Sequence, residues 1–189
     1  MKKGAQKRAG FTIIEVSLVL AIAGLIFMMV FIAFPTLQRN QRDTKRREDL
    51  IMFADAIEKY QGNNRGALPT TGDTATSVTG SSSIYSDTTL ARNSWAGFYR
   101  DYLPNPFTDP AGTPYSLTAV NCGATAGVAC NNGTAMSAIE GLSTEAGKYT
   151  IVVLTKATCD REKAVGVNNP RKLAILYKLE GGGIYCNSI

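Results

Sequence analysis

From Phe11 to Phe34 the chain runs for 24 residues with one ionisable side chain, Glu15, and from Val16 to Phe34 it carries 19 residues without a charge. At ~1.5 Å per residue the longer run spans about 36 Å as a helix, enough to cross a bilayer. Beyond Pro35 the pattern becomes amphipathic. Leu50, Phe53, Ala54, Ile57 and Tyr60 recur at three- and four-residue spacing, which predicts a helix continuing to about Gln61 with one face laid against a sheet. Gly62-Asn63-Asn64-Arg65-Gly66 supplies its stop. Gly24 and Pro35 are the points where it is expected to bend.

The remainder alternates turn signals with short apolar runs. Thr70 to Ser83 has Thr, Ser or Gly at 11 of 14 positions and is expected to be an exposed loop. Thr88 to Leu103 predicts a short helix burying Leu90, Trp95, Phe98 and Tyr102, ended by Pro104-Asn105-Pro106. Strands are expected over Tyr115–Val120, Tyr149–Thr155 and Leu173–Leu179, with Gly181-Gly182-Gly183 turning the chain into Ile184–Cys186. No internal repeat is present. The class is α+β: a long N-terminal helix packed on a small antiparallel β-sheet of three or four strands.

Charge alters little in this picture. The net charge is +5, but Lys2, Lys3, Lys7 and Arg8 supply four of those charges. The other 179 residues hold 16 basic and 15 acidic groups, so the body gives no reason to expect nucleic-acid binding. Within the dense stretch Arg39 to Asp49, the pairs Arg39–Asp43, Asp43–Arg47 and Lys45–Asp49 are spaced to sit on adjacent turns. That arrangement favours a solvated or subunit-contacting helix face over a nucleic-acid or headgroup patch.

Cys122, Cys130, Cys159 and Cys186 lie behind the apolar segment, and the chain has no histidine. Without a CxxC spacing or a histidine partner, disulfides outside the cytoplasm are favoured over zinc. Four cysteines allow three pairings. The preferred one joins Cys122 to Cys130 across a Gly/Ala-rich loop and ties the C-terminal strand through Cys159 and Cys186. The missing histidine also removes the usual Ser-His and Cys-His nucleophile pairings, and no phosphate-binding or nucleophile-elbow motif occurs. An enzyme is not expected, nor is a cofactor. Asn132-Gly133-Thr134 matches a glycosylation sequon.

Three bland readings compete for the N-terminal run. Cleavage after Ala21-Ile22-Ala23, as for a signal peptide, would leave eleven mostly apolar residues, Gly24 to Phe34, at the new terminus. A buried core helix is too short to account for so long and uniform a run. A plain signal anchor remains, and the positive-inside count is almost balanced, with four basic residues before the span and five (Arg39, Arg42, Lys45, Arg46, Arg47) after it. An anchor, however, has no use for Glu15, whose charge costs ~2.5–3.5 kcal/mol at a membrane centre and less near an end.

The boundary Lys7-Arg8-Ala9-Gly10 followed by Phe11-Thr12-Ile13-Ile14-Glu15 and a long apolar helix resembles the processing signature of type IV prepilins. The stretch Gln41 to Pro69, chiefly Asn63 to Pro69, is similar to pilins of small-genome candidate-phylum bacteria. The resemblance implies a type IV pilin fold, with residues 1–10 as leader, 11–35 as membrane and filament-core helix, 36–62 as the second half of that helix and 63–189 as a β-rich head. It implies cleavage between Gly10 and Phe11 by a prepilin peptidase, N-methylation of Phe11, and pairing of the Glu15 carboxylate with the Phe11 amine of a neighbouring subunit. The implied partners are copies of the chain itself in a helical homopolymer, the peptidase, an assembly ATPase and a platform protein. The subunit would be a single-pass protein of the cytoplasmic membrane before assembly and part of an extracellular pilus after it. Such filaments serve adhesion, twitching motility or DNA uptake.

A pseudopilin of a type II secretion or competence system is the alternative. Asp109-Pro110-Ala111-Gly112-Thr113-Pro114-Tyr115 is similar to an element of major pseudopilins whose neighbouring loops hold calcium. Asp109 is therefore the one weak metal candidate. Calcium needs six to eight oxygens, and one carboxylate plus carbonyls favours a plain turn.

Overall fold

A computed structural model of the chain describes residues 10–70, 76–123, 126–130, 138–142 and 148–189. The sequon at Asn132 lies outside them. The chain divides into two compact units, one ending at Asn40 and one running from Gln41 to Ile189.

Helix α1, Ile13–Asn63, runs through Pro35 without interruption. In the first unit its surface is apolar, with mean hydropathy 2.8 over its most apolar window and none of that window buried within the chain. The helix is long and apolar enough to cross a membrane.

In the second unit the other half of α1 buries Leu50, Phe53, Ala54, Ala56, Ile57 and Tyr60, the stripe that the spacing predicts. After Asn63 the turn closes through Gly66 N–H donating to the Gln61 carbonyl at 2.7 Å, with Arg65 and Gly66 both at positive φ. This is a left-handed helix end.

The stripe meets a five-stranded sheet of β1 (Thr76–Val78), β2 (Ser116–Asn121), β3 (Thr150–Thr155), β6 (Leu173–Lys178) and β7 (Ile184–Ser188), in that spatial order. Strands β4 (Ala157–Asp160) and β5 (Lys163–Gly166) form a separate hairpin. The expected antiparallel sheet needs correction. β2 and β3 are parallel, from Ser116 opposite Thr150 to Asn121 opposite Thr155, while the other neighbours are antiparallel. The long connection from Asn121 to Thr150 makes this possible, because a parallel pair needs a crossover of a dozen residues or more.

Both faces of the sheet are covered. Leu117, Ala119, Ile151, Val153, Ile175 and Tyr177 face the α1 stripe. Val120, Val152, Leu154, Ala174 and Leu176 pack with Cys122, Cys130, Leu142 and Ala164. Two-sided burial is why β3 and β6 read as unbroken apolar runs rather than alternating ones.

The Thr/Ser/Gly-rich stretch is likewise not simply a loop. It contains β1 and runs into the short helix α2, Ser82–Ser86, with Val78, Gly80 and Ile84 buried. Helix α3 spans Trp95–Tyr102, starting later than expected because Ser94 caps it, its Oγ accepting from Gly97 N–H at 3.0 Å. Trp95, Phe98 and Tyr99 are buried, whereas Leu90 and Tyr102 are only half-buried. The position missed in sequence, Tyr99, donates to the Tyr115 carbonyl at 2.7 Å.

Candidate functional site

Among the described residues, Phe11 is 87% exposed and nothing lies within 4 Å of the position that a Cβ on Gly10 would take. Thr12 is the residue before the first helical turn, and it forms a reciprocal cap with Glu15. The Glu15 carboxylate accepts from Thr12 N–H at 3.0 Å and from its hydroxyl at 2.9 Å, while Glu15 N–H donates to Thr12 Oγ1 at 3.3 Å. This is a capping box, Thr-x-x-Glu, satisfying helix-end donors that otherwise lack partners. Within one chain, then, the carboxylate is turned onto its own helix start.

The cysteines pair as preferred in sequence. Cys122 joins Cys130 with Cα atoms 5.0 Å apart, and Cys159 joins Cys186 at 5.9 Å. The second bridge ties β4 to β7, the last strand.

The charged stretch of α1, expected as a solvated or subunit-contacting face, is in part buried within the chain. Asp43, Arg46 and Asp49 are buried, and of the three anticipated pairs only Lys45–Asp49 forms, at 3.5 Å. Arg46 turns inward instead. Its Nε and Nη2 donate to the two carboxylate oxygens of Asp109 at 2.6 and 3.1 Å, and Nη1 reaches Asp43 at 2.9 Å and Glu180 at 3.0 Å. Arg42 forms a second fork on Glu180, at 2.9 and 2.6 Å. Asp43 accepts the backbone N–H groups of Glu180 and Gly181 at 2.9 and 2.7 Å. Two tyrosines close the cluster, Tyr177 donating to Asp109 at 3.2 Å and Tyr115 to Asp49 at 3.1 Å.

Electrostatics follow from these contacts. The Arg42 fork, aided by Arg46, holds the Glu180 carboxyl at about 2. The Asp109 carboxylate, with Asp43 and Glu180, raises Arg46 against the opposing effect of burial. Burial is the main cause raising Tyr115 and Tyr177, with Asp49 and Asp109 adding to it. Asp49 is raised by burial, against the lowering contacts of Tyr115 and Lys45.

For Asp109 the consequence is direct. Its oxygens face a guanidinium, a phenol and the Ala111 N–H at 2.8 Å. A calcium ion there would have to displace Arg46 or share the carboxylate with it. Asp109 acts as an anchor for α1, and the seven-residue element that contains it carries that anchor on a turn, Gly112 N–H donating back to the Asp109 carbonyl at 2.7 Å. Among the described residues no cluster of three or more His, Cys, Asp or Glu side chains is arranged to hold a metal.

A signal for this cluster was present in the sequence. Asp43 and Arg46 extend the three-four spacing of Leu50, Phe53, Ile57 and Tyr60 backwards, so they fall on the buried stripe. Glu180 gave no comparable sign. No family model, curated protein or solved structure matches this chain.

Proposed function

We propose that this chain is a type IV pilin, a structural subunit processed at Gly10–Phe11 and polymerised into a helical surface filament. The observation that carries the reading is the start of α1. A helix with an unburied apolar surface begins within three residues of Gly10, and its only ionisable group before Arg39 is Glu15.

That surface must be covered by something apolar. In the membrane the cover is lipid, and in a filament it is the same helix of neighbouring copies. The Thr12–Glu15 cap gives the carboxylate hydrogen bonds while the subunit waits in the bilayer. After leader removal, the methylated ammonium of Phe11 on a neighbour offers an opposite charge. A mispositioned subunit would leave both charges unpaired in an apolar setting at a cost of ~3–5 kcal/mol, so the pair acts as a register check. Extraction from the membrane falls to an assembly ATPase and its platform protein.

Mass spectrometry of the mature N-terminus tests the reading. An N-methylated Phe11 supports it, and an intact Met1 on the mature protein overturns it. The pseudopilin alternative rests on the likeness of Asp109 to Tyr115. Electron microscopy separates the two, since long extracellular fibres lost on deleting the gene belong to a pilin.

A further inference from the structure

Two open hollows in the second unit, of about 470 and 450 Å³, share Asn121, Lys156 and Pro170 and so form one groove. Its lining contains Arg65, Lys156 and Arg171, and no carboxylate and no aromatic ring among the described residues. None of the three cations has an ion pair among those residues.

Two further features show how the groove is built. Arg65 and Lys156 have φ of 56° and 57°, a left-handed conformation in which glycine or asparagine is the easier choice. Lys156 is held there by its N–H donating to the Lys172 carbonyl and by Val167 N–H donating to its own carbonyl, both at 2.8 Å. Asn121 and Asn169 each turn their side-chain oxygen onto a backbone N–H, of Gly123 at 3.3 Å and of Arg171 at 3.0 Å. Both asparagines line the groove, and each also carries an NH2 donor. The groove therefore presents cations and amide donors with no competing carboxylate.

We propose that this groove binds an acidic polysaccharide, through uronate carboxylates on the cations and sugar hydroxyls on the asparagine amides. Nucleic acid is the other polyanion to weigh. Single strands are gripped by stacking bases on aromatic side chains, which the lining lacks, and the amide donors suit hydroxyls and carboxylates. The proposal concerns the head alone and stands apart from the filament reading.

The test uses the full chain in non-ionic detergent micelles at low ionic strength, titrated with alginate oligosaccharides, neutral dextran, and single- and double-stranded DNA. Alginate is expected to bind, dextran not to, and DNA more weakly than alginate. The Arg65→Gln/Lys156→Gln/Arg171→Gln variant should lose about tenfold or more in alginate affinity. Arg171→Gln alone should lose severalfold, and Arg161→Gln, a basic residue outside the groove, should leave affinity unchanged. Near-UV circular dichroism checks that each variant is folded. Absent alginate binding, equal binding of dextran, tighter binding of DNA, or undiminished affinity in the folded Arg171→Gln and triple variants would overturn the proposal.

Discussion

Arg46 on α1 and Asp109, 63 positions further along the chain, form a buried two-pronged ion pair with contacts of 2.6 and 3.1 Å. The guanidinium is the common counter-charge for Asp109, Asp43 and Glu180. Removing it leaves the buried carboxylates of Asp109 and Asp43 hydrogen-bonded but without a counter-charge, so Arg46→Met should cost ~3–5 kcal/mol. Adding Asp109→Asn should cost less than the sum of the two single losses, because the residues are coupled. Denaturant unfolding of the full chain in micelles, followed by near-UV circular dichroism, measures both. Strictly additive losses would show that the pair is not a coupled unit.

Acid should weaken the same brace. Glu180 is held at about 2 against an ordinary 4.5. Its contribution is therefore complete above about 4.5 and is lost as pH falls from there through 2. Asp49 works the opposite way, since its raised folded value favours the folded state under acid. Asp87 and Asp101, both lowered, by Thr89 and by Arg100 respectively, lose stability in acid alongside Glu180. The expected readout is thus a difference: Glu180→Gln should lower Tm at neutral pH and flatten the fall in Tm between pH 4.5 and 2. A parallel profile would rule Glu180 out as a source of the acid sensitivity.

What the sequence made legible tracks how local its determinants are. The α1 stripe, the charge-free N-terminal run, β3, β6 and the stop at Gly62 to Gly66 each follow from spacing or composition within a few residues. The parallel pairing of β2 with β3 depends on where a long crossover returns, which no local pattern encodes. β1 is only three residues long, and its register against β2 supplies what its composition lacks. The buried Arg46 was hidden by an assumption that charged residues on a helix face water. Its position on the apolar stripe outweighs its chemistry, because three carboxylates arrive from the helix and two distant turns to meet it. At the N-terminus the motif residues were all legible, but the turn of Glu15 onto Thr12 required the geometry.

Two helical glycines should respond oppositely to alanine. Gly62 has nothing near its Cβ position, so Gly62→Ala should stabilise the protein by up to ~1 kcal/mol through helix propensity and reduced unfolded-state freedom. At Gly97 the added methyl would run into the Ala91 carbonyl oxygen and the Arg92 backbone. Gly97→Ala should therefore destabilise by ~1–3 kcal/mol despite the better propensity. Thermal unfolding of the two variants decides it, and a gain at both positions would mean that the Ala91 turn yields easily.

The two disulfides should differ in worth. Chain-entropy reasoning gives ~2.5 kcal/mol for a loop of about eight residues and ~3.5 kcal/mol for one of about 27, matching the separations of Cys122–Cys130 and Cys159–Cys186. The Cys159→Ser/Cys186→Ser variant should therefore unfold at lower denaturant than Cys122→Ser/Cys130→Ser. The reverse order would show that packing around Cys122 and Cys130, both fully buried against Leu142 and Val152, outweighs loop length.

Under the proposed filament reading, Glu15 combines two roles that substitution can separate. As a helix cap it accepts from Thr12, and glutamine fills that position in a capping box nearly as well as glutamate. As a charge it would, under the same reading, partner the ammonium of a processed Phe11, which glutamine would not. Glu15→Gln should therefore keep the helix start while removing the charge, and Glu15→Ala should remove both. Under the filament reading each variant is cleaved at Gly10–Phe11 but fails to enter fibres, with glutamine failing as fully as alanine. Thr12→Ala, which weakens the cap and leaves the charge, should still assemble. Immunoblotting of membrane and sheared surface fractions reads out processing and incorporation separately. If Glu15→Gln assembles normally while Thr12→Ala does not, capping rather than charge pairing is what assembly requires at this position.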